Sequence, residues 1–168
     1  EVLLARQYAK YARAGYTTLG ILGPVGRSED PIGTMQYIAA QADTPVRTLI
    51  YALPTQLEGA PGSTVPRAQS GDRSGAVVGV KFWMDGSPFA GGAAFAEPYE
   101  TSELVTDRLH LAAGHMSALN YTGDAFEAAY RRYHNLGYQI AVHAQGERAV
   151  QQVLDVAERV LAESPRAD

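Results

Sequence analysis

Apolar and polar positions in this chain follow two rhythms. Residues 2–14 carry apolar side chains at helical spacing, and Gly15 follows as a helix-ending residue. "YTTLGILG" (16–23) is β-rich, and "GPVGRSED" is a turn whose Asp30-Pro31 reads as an N-cap with proline at the first helical position. The helix that starts there is predicted to run to about Gln41. "VRTLIYALP" (46–54) is a second, mostly β-branched and apolar strand. The order α-β-α-β is that of a parallel sheet.

"TQLEGAPGSTVPRAQSGDRSG" (55–75) interrupts this rhythm with Gly, Pro and Ser, and part of it reads as a weak helix. Loops of this length in compact domains are as a rule functional or mobile. A third strand is predicted over 76–86, then a glycine-rich loop, "SPFAGGAAFAEPYE", and a short helix within 101–111. A firmer helix runs from 123 or 124 to 136 and is closed by Gly137. "GYQIAVHAQGERAVQQVLDVAERV" then gives a buried strand at 138–142, a histidine, a Gln-Gly turn and an amphipathic helix over 147–163. Each predicted strand is followed by a helical segment or a long loop, and no repeat stands out beyond this alternation.

Composition narrows the chemistry. A chain of 168 residues with 46% apolar and 19% charged residues supports one domain with a real core. Net charge is −4 and there is no basic block, so nucleic acid is not an expected partner. No run approaches the roughly 18 apolar residues of a membrane span. Cysteine is absent, which excludes disulfides and thiolate sites. Any metal must therefore use histidine, carboxylate or a modified side chain. The compartment is left open: the cytoplasm is slightly favoured, but a signal peptide could precede the segment. The chain opens on Glu1 in helical periodicity and ends at Asp168 just after a helix, so it is expected to be a piece of a longer protein.

Two residues do not fit a purely apolar core. Lys81 stands inside "VVGVKFWM", with apolar neighbours on both sides. A buried ammonium is costly without a partner, and lysine's pKa falls readily there. A neutral amine can act as base or nucleophile, or add carbon dioxide to become a carbamate that bridges divalent metals. The alternative is that Lys81 reaches the strand end and pairs with an acid such as Asp85. His143 comes directly after a strand, where parallel α/β folds bind ligands. It is either a metal ligand or a hydrogen-bonded structural residue. His134, in the last turn of a helix, reads as structural, and no spacing ties His110 or His115 to a site. Nucleophile elbows and phosphate-binding glycine loops are absent.

Two motifs resemble the amidohydrolase superfamily, and within it the family 3 branch that includes N-substituted formamide deformylases. "VKFWMDGSPFAGGAAFAEPY" is similar to that branch's V-K-I-F-x-D-G-S strand with its loop ending in E-P-Y. "GYQIAVHAQGERAVQQVLD" is similar to its G-x-Q-V-A-V-H-A-x-G-D-R-A motif, with Glu147 in place of the usual aspartate. "AGYTTLG" and the order of elements add weaker support. The resemblance covers nearly the whole chain and implies α/β architecture, a partial (β/α)8 TIM-type barrel containing about strands two to five. It implies a divalent metal site, zinc in most members, with Lys81 as a carboxylated bridging ligand and His143 as a further ligand. Trp83, Asp85 and Gln145, beside these two, are candidates for lining the substrate pocket or supporting the ligands.

The resemblance further implies a hydrolase of amide or other C–N bonds with a small-molecule substrate. The family's His-x-His pair, later histidine and general-base aspartate have no counterpart here, so residues 1–168 are expected to be an incomplete domain, inactive alone. With weak metal binding, or none, the isolated segment is expected to self-associate through its exposed sheet edges. One alternative is a non-catalytic α/β module that uses those edges to bind a partner, with Lys81 and His143 structural. Another is a complete doubly wound domain with Lys81 as a Schiff-base lysine.

Overall fold

The computed structural model describes residues 2–25, 29–41, 43–58 and 75–166. It divides into two compact units, Glu1–Lys81 and Phe82–Asp168.

The first unit opens with α1 (Val2–Arg13), then β1 (Thr18–Leu22), α2 (Pro31–Ala39), β2 (Arg47–Ala52), the short α3 (Pro54–Glu58) and most of β3 (Ala76–Trp83). Leu4, Tyr8 and Ala12 of α1 recur every four residues, so they share one face. That face packs with Ile38, Val46 and Leu19, and Tyr8, Ile38 and Val46 are buried. The Tyr8 hydroxyl accepts a hydrogen bond from Thr48 Oγ1 of β2 at 3.1 Å, which satisfies a buried threonine. Asp30 caps α2 as expected, its side chain accepting from Gly33 N at 2.8 Å, with Pro31 in the first turn. The weak helix expected after β2 is α3, and the remainder of that predicted loop, 59–74, lies outside the described residues.

β1 and β2 pair in parallel from Thr18↔Arg47 to Leu22↔Tyr51. β2 and β3 also pair in parallel, with a register shift between Ile50 and Tyr51. Along β3 burial first alternates and then becomes continuous from Gly79 to Phe82. A strand end covered on both faces is typical of parallel sheets flanked by helices.

The second unit holds the end of β3, a 3-10 turn (Pro88–Ala90), a π-helical turn (Leu104–Arg108), α4 (Gly123–Asn135), β4 (Gln139–His143) and α5 (Glu147–Glu163). The π-helical turn occupies the place where a short helix was expected. α4 buries Phe126, Tyr130, Tyr133 and His134, an i, i+4, i+7, i+8 stripe. Phe82 meets Tyr121, Phe126 and Tyr133 edge-to-face, with ring centroids 5.4–6.1 Å apart. α5 buries Ala149, Val156 and Val160 and packs against α4. Gly137 ends α4 at φ +80, a conformation that a β-carbon would strain.

Sheet order is β1-β2-β3-β4 with all four strands parallel, the βα succession of a partial barrel. Among the described residues no helix is long and apolar enough to cross a membrane.

Candidate functional site

β4 ends one residue later than its pattern suggested, so His143 is the last residue of the strand. Its carbonyl accepts from Met84 N at 2.8 Å, which holds the end of β4 beside the end of β3. The ring lies 4.7 Å from that of Trp83 at an interplanar angle of 42°. Trp83 is 42% exposed, and its carbonyl accepts from Asn120 Nδ2 at 2.9 Å. An exposed indole on the last residue of a barrel strand suits a substrate-facing wall.

The most constrained group in this unit is Asp85. Its side chain is fully buried. Oδ2 accepts from Ala94 N at 2.9 Å and from Gly146 N at 2.8 Å, and Oδ1 accepts from Gln145 N at 2.9 Å. One carboxylate thus ties the loop after β3 to the turn after β4. Such a group can be buried because the N–H donors replace its lost hydration. Gly146 is required at this junction for space: a β-carbon there would fall 2.2 Å from the carbonyl carbon and oxygen of Ala94. Arg148 N donates to Ala94 O at 3.1 Å, and Glu147 Oε2 accepts from Ala96 N at 3.1 Å. The glutamate that departs from the motif therefore serves the same junction.

His143 Nε2 is buried without a hydrogen-bond partner among the described residues. Asp85 Oδ1 lies 3.9 Å from it, beyond hydrogen-bond reach, while the histidine side chain as a whole is 20% exposed. A partly exposed imidazole at a strand end, with one nitrogen enclosed beside a buried carboxylate, has the donor chemistry of a metal ligand backed by an acid. Gln145, a candidate for lining the substrate pocket or supporting the ligands, is exposed, and its backbone N–H donates to Asp85 Oδ1.

In the first unit Lys81 is 6% exposed, and a β-carbon on Gly23 would sit 3.2 Å from its Cγ. Burial lowers the Lys81 pKa from its ordinary 10.5. The consequence for stability has a definite sign. The unfolded chain keeps this proton to higher pH than the folded one, so stability owed to Lys81 rises with pH up to about 10.5. It is lost as pH falls through the lowered value, and constant below it. Stability of the wild type relative to Lys81→Met is therefore expected to increase between pH 7 and pH 10 in urea titrations. A difference that stays flat or reverses would contradict the burial effect.

The other histidines have structural partners or lie at the surface. His134 is buried with Nε2 2.7 Å from Ser164 O, as its place in the helix suggested. His115 Nε2 lies 2.8 Å from Gly91 O, and His110 is exposed. Among the described residues no three His, Asp or Glu side chains form a group that could hold a metal. The residues that sequence reasoning missed are Ala94, Gly146 and Asn120. Their contribution is backbone N–H or packing, and the one signal in the sequence was the Gly-rich composition around two of them.

The family model described as "Amidohydrolase family" matches residues 2–168. No curated protein matches. Two solved structures are similar in fold. One is an uncharacterized metal-dependent hydrolase from Pyrococcus horikoshii OT3, with TM-score 0.69 and 18% identity over 92% of this chain and 29% of that one. The other is an uncharacterized metal-dependent hydrolase from Pyrococcus furiosus, with TM-score 0.69 and 22% identity over 93% of this chain and 30% of that one. The chain thus spans less than a third of the length of either structure.

Proposed function

The chain belongs to the amidohydrolase family, and from that premise we propose that it is the central segment of a metal-dependent hydrolase acting on amide or other C–N bonds of small molecules. The observation that carries this reading is His143, a partly exposed imidazole at the carboxyl end of a parallel strand with a buried carboxylate behind it. Ligands gather at that end of such sheets.

His143 would bind a divalent metal, zinc by analogy with the family, and Lys81 would bridge as a carbamate. These assignments come from the two motifs. Burial of Lys81 supports its part, because only the neutral amine carries the lone pair that attacks carbon dioxide. A nitrogen–carbon bond forms, one proton leaves to solvent, and the arm then ends in a carboxylate. When bound, the metal lowers the pKa of its water and polarises the scissile carbonyl. Trp83 would wall the substrate's approach, and Asp85 would hold the two loops that frame it. The remaining ligands and the general base are assigned to the rest of the intact protein, so the chain alone is expected to be inactive.

Plasma mass spectrometry of the intact protein and of this chain, side by side, tests the reading. Stoichiometric zinc is expected in the intact protein and its loss with His143→Ala or Lys81→Ala. An intact protein that stays metal-free after reconstitution would sink it. The isolated chain is also expected to self-associate. Among the described residues β1 has a single neighbour in the sheet and Leu22, at its end, is 49% exposed, an arrangement suited to edge pairing. A monodisperse monomer in sedimentation equilibrium would count against that.

A further inference from the structure

We infer that Asp85 is a positioning residue for the His143 ring: it takes Nε2–H as a hydrogen-bond donor and so leaves the Nδ1 lone pair for a metal. Asp85 already accepts three backbone N–H bonds, one of them, from Gln145, on Oδ1. A carboxylate oxygen has a second lone pair, so Oδ1 has room for one more donor. The polar atom waiting beside it is His143 Nε2, buried, without a partner among the described residues, and 3.9 Å away. A swing of the ring by ~1 Å brings the two to the ~2.9 Å of an N–H···O bond. Leaving Nε2 enclosed and unsatisfied is the costlier alternative.

The direction of the bond follows from the chemistry. An ionised carboxylate only accepts, so Nε2 must donate. In a neutral imidazole the other nitrogen then holds the lone pair, and a metal ligand whose second nitrogen is held by an acid has a fixed ring orientation. Asp85 is suited to this because its carboxylate is anchored to the loop after β3 and to the turn directly after His143. Nε2 is enclosed while the side chain is 20% exposed, so a ligand approaches along another edge of the ring.

What Nδ1 does rests on the proposed function; how Nε2 is held does not. Long-range proton–nitrogen spectra of the uniformly ¹⁵N-labelled chain near pH 8.5 separate the two. His143 is assigned by the signal lost in His143→Gln. A protonated Nε2 whose proton exchanges with water more slowly than that of exposed His110 is expected. A bare Nε2, or one exchanging as freely as His110, overturns the inference, and the wild type alone decides this if Asp85→Ala does not fold. In folded Asp85→Ala the slow exchange is expected to vanish and the tautomers to mix, and persistence of the wild-type signal there also overturns it. Glu147→Gln loosens the same loop–turn junction without touching Asp85 and is expected to leave the His143 signal in place. Equal loss in that variant would assign the effect to loop packing and overturn the positioning role. Slow exchange at Nε2 with a metal-free intact protein would fail the proposed function alone, whereas a bare Nε2 in a protein that binds zinc would fail this inference alone.

Discussion

Asp85→Ala is expected to remove about 3 kcal/mol of stability from the second unit. The substitution leaves three backbone N–H groups, those of Ala94, Gln145 and Gly146, without their acceptor. Each buried donor so orphaned costs roughly 1–3 kcal/mol, with water able to reach some of them once the loops part. A domain holds only about 5–15 kcal/mol in total, so the loss is a large part of what keeps this unit folded. Asp85→Asn is expected to recover only a fraction. Asparagine keeps one acceptor oxygen and turns an amide NH2 toward backbone N–H groups that also donate. The single tryptophan, Trp83, lies two residues from Asp85, so its fluorescence in urea reports on this unit directly. A midpoint for Asp85→Ala equal to the wild type would show that the carboxylate does not hold the loops.

Gly146→Ala is expected to cost about as much by a different route. The backbone dihedrals at Gly146, φ −82 and ψ 156, suit any residue, so the cost does not come from conformation. It comes from the 2.2 Å gap between the added methyl and the Ala94 peptide. Backbone cannot swing aside as a side-chain tip can, so the loop after β3 and the turn after β4 must separate. Overpacking of this kind costs about 1–3 kcal/mol and more where backbone is struck. Separation also stretches the bonds from Ala94 N and Gly146 N to Asp85 Oδ2, so two effects compound. Hydrogen exchange gives the direct readout. The amides of Ala94, Gln145, Gly146 and Arg148 should lose protection together, while those inside α4 keep theirs. Unchanged protection at these four amides would mean that the junction accommodates the methyl group.

The local elements were legible in the sequence for local reasons. Asp30-Pro31 announced the start of α2, and the cap is in place. The apolar spacing of 147–163 gave α5 its bounds, and Gly137 closed α4. The parallel βα order followed from the alternation of periods, and the structure keeps it. Lys81 was marked by an apolar neighbourhood on both sides along the strand, and it is buried. His143 was marked by its place at a strand end. The irregular stretches were harder. A short helix within 101–111 became a π-helical turn, because apolar spacing over so few residues does not distinguish an i→i+4 from an i→i+5 turn.

The sequence by itself determined the family likeness, the parallel α/β class, the start of α2, the bounds of α5 and the two side chains that stand out chemically. Each of these rests on neighbours within a few residues or on a motif read in one stretch. Only the tertiary structure decided what Asp85 does. Its three partners lie 9, 60 and 61 residues away and are backbone N–H groups, which every non-proline residue carries and which no residue type advertises. The same holds for Gly146, whose requirement is the space left by a peptide far off in sequence, and for His143, whose buried nitrogen beside Trp83 and Asp85 is known only once the chain has folded.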